Sequence, residues 1–180
     1  MRFLRLIIFC LLAGFVFNGC IKKADEDPLV SIYKRSTRLT GVWLLKELQI
    51  QDYDKDASGK LSIVIRTLYK DKYTETRGTD TISKTFYGTI KATLTILAKN
   101  TYNYSEDVST NGLNYHNEIK EKNWAWNDDH KKTGLILSEF KSFDITGLHS
   151  EELVLTITDI NNLNANNSHS YVERWVFKKQ

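Results

Sequence analysis

From Leu39 to the C-terminus, apolar residues recur at every second position, in runs separated by short polar segments rich in Asn, Asp, Ser and Gly. Val42, Leu44, Leu48 and Ile50 mark a first strand within Gly41 to Ile50, and Leu61, Ile63 and Ile65 alternate with polar neighbours in a second. The polar stretch from Asp71 to Asp80 reads as a long loop or a ragged hairpin end. Phe86, Ile90, Leu94 and Ile96 share one parity in the run Ile82 to Ala98, where Gly88 predicts a bulge or a sharp bend. Asn100 turns the chain into Thr101 to Tyr104, a polar loop ends at Asn111-Gly112, and Leu113, Tyr115 and Ile119 share the next face. Trp124-Ala125-Trp126 enters a tight turn over Asn127 to Lys132, and Leu135 and Leu137 return from it. Phe143 to Ile145 is a short extended piece. Leu153, Leu155 and Ile157 alternate most cleanly, and Tyr171, Trp175 and Phe177 carry the last strand.

Eight to ten strands in succession, with almost no period of 3.6, must pair antiparallel and hide one face. The pattern predicts an all-β fold, a single antiparallel meander closed into a barrel over residues 39–180. The expected inward set is Leu61, Ile63, Ile65, Leu153, Leu155, Ile157, Trp124 and Trp126. On that parity no strand carries histidines and carboxylates inward together, so the expectation is a protein that is not an enzyme.

The first twenty residues have a different layout. Arg2 and Arg5 precede an apolar run from Leu6 to Phe17, which closes on Asn18-Gly19-Cys20. That is the arrangement of an export signal, and the run is too short to span a bilayer. Its end resembles the lipobox of bacterial lipoproteins, where cleavage before a cysteine leaves that residue to carry acyl chains. The resemblance implies a signal peptide over 1–19, lipid attachment at Cys20, and a lipidated tether over 20–38. Within the tether, Asp25-Glu26-Asp27 resembles the short acidic export signals of surface lipoproteins in the Bacteroidetes, or is a solvated spacer. Leu29, Val30, Ile32 and Tyr33 are too apolar for pure linker and should dock against the domain.

Removing residues 1–19 leaves 161 residues with 23 Lys and Arg against 22 Asp and Glu, a net charge of +1. Without a basic block, that balance excludes a nucleic-acid partner. Cys10 leaves with the signal and Cys20 is taken by lipid, so the domain should contain neither disulfide nor thiolate chemistry.

A second resemblance lies in the domain. Gly41-Val42-Trp43 resembles the Gly-X-Trp of lipocalins, whose tryptophan closes one end of the barrel beneath an arginine near the last strand; Arg174 is the candidate. The spacing of Trp43, Trp124-Ala125-Trp126, Ile145 to Leu148 and Trp175 to Lys179 is similar to lipocalin-like lipoproteins of the Bacteroidetes. The resemblance implies an outer-membrane-anchored barrel.

Two contents are open. A hollow barrel would hold a small apolar or amphipathic ligand against Ile63, Ile65, Trp124, Trp126 and Leu155. A filled barrel would meet large side chains with large ones and serve as an accessory lipoprotein contacting another envelope protein. Aromatic stripes are more often core than lining. No metal or cofactor is expected. Asp52, Asp54 and Asp56 start like a calcium loop, but Ala57 and Ile63 stand where that loop needs glycine and glutamate. The four histidines, His116, His130, His149 and His169, are scattered. Asp80-Thr81-Ile82 resembles an O-glycosylation acceptor of the same phylum.

Overall fold

The computed structural model describes residues 34–180 except 57, 80 and 162–167, so the signal, Cys20 and most of the tether lie outside the described residues. One five-residue helix, α1 (Arg35–Leu39), precedes ten antiparallel strands: β1 (Gly41–Lys55), β2 (Leu61–Tyr69), β3 (Lys72–Thr79), β4 (Ser83–Ile96), β5 (Thr101–Thr110), β6 (Asn114–Trp126), β7 (Gly134–Leu137), β8 (Lys141–Leu148), β9 (Glu152–Asn161) and β10 (Ser168–Lys179). They follow one another as a meander, and β1 meets β10 to close the ring. The expected all-β barrel is the observed one.

Within the stretch expected as a long loop or a ragged hairpin end, Lys72–Thr79 is strand β3. Tyr73 and Glu75 of β3 are buried, and a two-residue turn at Lys70-Asp71, both at positive φ, joins it tightly to β2. Its polar composition hid it, because the face it buries is itself polar. β5 likewise continues to Thr110, beyond the expected Tyr104. Gly88 forms the end pair of both ladders, opposite Tyr73 of β3 and Thr110 of β5, and neither ladder has a register shift. The glycine is required for another reason: a Cβ there would lie 2.0 Å from the carbonyl oxygen of Ser109.

The two short hairpins divide the barrel along its axis. In one half, Gly41–Leu44 of β1 pairs directly with Thr93–Ile96 of β4, and the β7–β8 hairpin fills the wall between β6 and β9. In the other half, β1 pairs with β2 instead, so the β2–β3 hairpin is inserted between β1 and β4. There the β7–β8 hairpin is absent, and no ladder joins β6 to β9 among the described residues. Each half therefore has eight strands, but only the first is hydrogen-bonded all the way round.

The first half is packed solid. Trp43, Leu94, Ile96, Tyr102, Leu135 and Leu153 are at most 1% exposed. Near mid-height, Tyr104 stacks on Phe140 with centroids 4.4 Å apart, and Trp175 stands edge-on to Tyr104, Phe140 and Phe143 at 6.2–6.4 Å. Rings from β5, the β7–β8 turn, β8 and β10 thus meet across the axis, the large-against-large packing of a filled interior.

Candidate functional site

Residues paired directly across antiparallel strands point to the same face, so the register shows what enters the second half. Ile157, Glu173, Ile50, Arg66 and Glu75 form one continuous row across β9, β10, β1, β2 and β3. The next row toward the rim holds Asp159, Tyr171, Asp52, Val64 and Arg77. Ile50 and Glu173 are buried, so these rows face inward. The inward parity of β2 is consequently Val64, Arg66 and Leu68. Leu61, Ile63 and Ile65 lie on the outer face, contrary to expectation, because a strand's parity is fixed by which residues its neighbours bury and not by which are most apolar.

Beside Ile50, Val64 and Ile157, this half carries carboxylates, cations and phenols inward. Glu173, wholly buried, accepts from Lys141 Nζ on both oxygens at 2.6 and 2.7 Å, from the Tyr171 hydroxyl at 2.5 Å and from Trp175 Nε1 at 2.5 Å. Lys141, first residue of β8, is placed in the lumen by the β7–β8 turn, over the rings of Phe140, Tyr171 and Trp175. Glu75, 1% exposed, accepts from the Tyr73 hydroxyl at 3.0 Å and from Arg77 Nε, with Arg66 Nε 3.5 Å away. Glu106 on β5 accepts from the Tyr115 hydroxyl at 3.1 Å. Burial holds its carboxyl above the ordinary carboxylate range, against the bond from Tyr115 and the field of Arg66 and Lys141. Burial first, and the carboxylates second, also raise the phenols: Tyr115 to about 12, and Tyr73, Tyr104 and Tyr171 further, so all four remain hydrogen-bond donors at neutral pH.

Two polar atoms in this half are buried without a hydrogen bond, Arg66 Nε and Asp52 Oδ1. The Tyr104 hydroxyl lies against the Glu106 carboxylate, which helps to raise the phenol and to lower the acid. Asp52 faces His169 Nδ1 at 3.7 Å. The expectation that no strand carries histidines and carboxylates inward together fails on β10, where His169 shares the parity of Tyr171 and Glu173; Asp52, Glu75 and Glu106 also point in. Glu173 shared its parity with Tyr171, Trp175 and Phe177, and an acid inside an aromatic stripe was the available signal.

The sequence-predicted lining falls elsewhere. Leu155, 1% exposed, and Trp124, 5% exposed, belong to the packed core, with Trp124 Nε1 donating to the Leu97 carbonyl at 3.0 Å. Trp126 lies at the sealed rim. There, together with Ser36, Thr37, Thr40, Trp124 and Lys132, it lines an external cleft of about 490 Å³ beside α1.

The cation expected over Trp43, Arg174, is not the one found there. Trp43 is fully buried and its indole N–H donates to the Leu39 carbonyl at 2.7 Å, which ties α1 across the sealed end. The cation above its ring is Lys179, at 5.0 Å from the centroid and 3.2 Å from the Arg38 carbonyl oxygen. Desolvation lowers the pKa of that ammonium. Gly41, at φ +142, leaves the space, since a Cβ there would lie 2.5 Å from Lys179 Cε. Arg174 instead points outward beside Glu47, 3.5 Å away. Register explains the exchange, for Trp43 pairs with Lys179 and Arg174 lies opposite Gln49.

Asp56 acts locally. Its Oδ1 accepts from Ser58 N, Ser58 Oγ and Lys60 N, bonds that close the β1–β2 turn and lower its pKa. Thr81 is exposed at the β3–β4 turn.

No family model matches this chain, and no curated protein or solved structure matches it significantly.

Proposed function

We propose that this chain is an envelope lipoprotein, held at the outer membrane by acyl chains on Cys20, whose lipocalin-like barrel binds a small polar ligand in its charged half. One observation carries the ligand reading. Three inward side chains of the charged half keep contact with solvent, at 31% for Arg66, 30% for Lys141 and 37% for Asp52, whereas those of the sealed half are dry. Side chains that face the axis yet touch water support a chamber, and among the described residues no ladder between β6 and β9 closes its wall. Charged and phenolic lining favours a polar ligand over an apolar one, because an alkyl chain would desolvate these groups without replacing their hydrogen bonds.

The anchor reading rests on the Gly19-Cys20 pair behind a short apolar run. In detergent phase separation the full chain should enter the detergent phase and Cys20→Ala should not; equal partition would reject the anchor. The dye ANS should bind only as the protein melts, because the apolar half is full. Saturable binding of ANS to the native protein would restore the apolar carrier.

A second reading, an accessory barrel that meets another envelope protein through its loops, is favoured by the aromatic plug of Tyr104, Phe140, Phe143 and Trp175. It keeps the anchor and gives up the ligand.

A further inference from the structure

We infer that the apolar end of the tether, Leu29 to Tyr33, packs against an outward-facing row of the sealed half, Gly147, Val154 and Val176. The barrel is thereby held with its sealed end toward the membrane and its charged half opening away from it. The orientation rests on the reading of Cys20 as the anchor; the packing does not.

The covered row comes first. Gly147 pairs with Val154 and Val154 with Val176, so the three share one face. That face is the outer one, because Leu153, Leu155, Trp175 and Phe177, on the opposite parity of β9 and β10, belong to the core cluster and the two valines do not. Outward residues of an isolated barrel meet water. Val154 is nevertheless 1% exposed and Val176 5%, and Gly147 is buried. The cover is confined to this row. Val176 pairs with Glu47, whose side chain is 46% exposed, and Arg174 and Lys178, the outward neighbours on β10, are 40% and 50% exposed. Thr158, outward on β9, is exposed as well. Here β9 and β10 are buried on both faces, as strands are where a layer lies on either side.

The second argument is what can supply that layer. Among the described residues, α1 is the element that lies outside the wall at this end, and its Arg38 Nη1 donates to the carbonyl of Leu148, next to Gly147. The helix reads Arg-Ser-Thr-Arg-Leu, and its single apolar side chain, Leu39, is fully buried where its carbonyl meets the Trp43 indole. No apolar side chain of α1 is left for the valines. The next apolar residues along the chain are Tyr33, Ile32, Val30 and Leu29, directly before Lys34. Five extended residues reach about 17 Å, and the row crosses two strand spacings, about 10 Å. In such a segment Val30 and Ile32 share one side.

Orientation follows from the length that remains. Eight residues, 21–28, separate Cys20 from the packed segment, and a flexible leash of that length averages about 16 Å end to end. The 12 residues of β10, tilted in the wall, give a barrel about 30 Å tall. The leash is shorter than the barrel, so the end that holds the tether is the end next to the bilayer.

The packing is tested by hydrogen exchange of the full chain, read by mass spectrometry on peptides covering Leu29 to Tyr33. Their amides should exchange at least about tenfold more slowly than those of an unstructured peptide. Val154→Asp should remove that protection, and Thr158→Asp, outward on the same strand, should leave it. If Val154→Asp does not fold, Val30→Ser combined with Ile32→Ser, which alters no barrel residue, should remove it. No protection in the wild type, or protection that survives a folded Val154→Asp, overturns the packing. Protection that appears only as a dimer forms on raising the concentration assigns the row to a second copy and overturns it too.

For the orientation, the acylated chain is placed in vesicles of phosphatidylethanolamine and phosphatidylglycerol that carry a headgroup acceptor dye. A donor on Lys99→Cys, in the exposed β4–β5 turn of the sealed end, should transfer more energy than one on Lys60→Cys, in the exposed β1–β2 turn of the open end. Equal or reversed transfer overturns the orientation. A chain that does not associate with the vesicles at all rejects the anchor and the orientation together, and the exchange result then decides the packing by itself.

Discussion

In the sealed half, the inward positions of β4, β5, β9 and β10 are Leu94, Tyr102, Leu153 and Phe177, none more than 2% exposed. Further along, on the same parity, β5 carries Glu106 and β10 carries Glu173 and Tyr171, and their neighbours on β2 and β8 are Arg66 and Lys141. Most strands run from one half into the other, and a bulge between Leu45 and Glu47 of β1 moves its inward parity from Trp43 and Leu45 to Leu48 and Ile50. What differs is the position of two hairpins, β7–β8 completing the wall of the first half and β2–β3 widening the second. A fully laddered ring excludes water and rewards apolar side chains at roughly 25 cal/mol per Å² buried. An interrupted ring admits water and can keep charges ionised. One meander thus carries its stability at one end and its polar chemistry at the other.

If this division is right, the largest effect should come from emptying the plug. Trp175→Ala should destabilise the protein by about 3–5 kcal/mol in urea or thermal unfolding. Val64→Ala, in the charged half, should cost about 1 kcal/mol or less. Equal losses would erase the distinction between dry and wet halves.

The next effect should come from orphaning Glu173. Lys141→Met leaves a fully buried carboxylate with two neutral donors and should cost about 3 kcal/mol. Adding Glu173→Gln should recover much of that loss, since the amide has no charge to leave unpaired. If the double variant is as unstable as the sum of the two single ones, the pair does not act as a unit.

Glu106 should give a pH signature of opposite sign to a paired acid. Its folded-state pKa is raised above the ordinary 4.5 by burial, so the folded protein binds the proton more tightly than the unfolded chain. The stability this group contributes is fully present below pH 4.5 and is lost as pH rises through the raised value. Glu106→Gln should therefore gain on wild type at pH 7–8 and lose that advantage near pH 4. A constant difference across this window would mean that the carboxylate is not desolvated.

The smallest effect separates two cations. Lys179→Gln removes the ammonium from the Trp43 ring and should cost about 1 kcal/mol. Arg174→Gln removes a half-exposed partner of Glu47 and should cost under about 0.5 kcal/mol. The reverse order would return the arginine to the sealed end.

The barrel was legible because period-two alternation survives in nearly every strand, and a meander of such strands has few ways to bury one face. The charged half was not legible, for reasons that particular residues show. β3 buries Tyr73 and Glu75, so its polarity looked like a loop. β2 offered Ile63 and Ile65 on one parity and Val64, Arg66 and Leu68 on the other, and the more apolar set proved to be the outer one. Lys141 reaches the lumen only because the β7–β8 turn stops at mid-height, a fact of register that no local pattern encodes.

The amino-acid sequence alone determined the all-β class and the position of most strands, because each follows from local alternation and nearby turns. Tertiary structure alone decided which parity of β2 faces inward, that Lys179 rather than Arg174 covers Trp43, and that four carboxylates face inward. Those outcomes depend on the register between strands distant in sequence. A shift of one residue exchanges the two faces, so the pairing partner, not the residue's own polarity, sets the side on which each group lies.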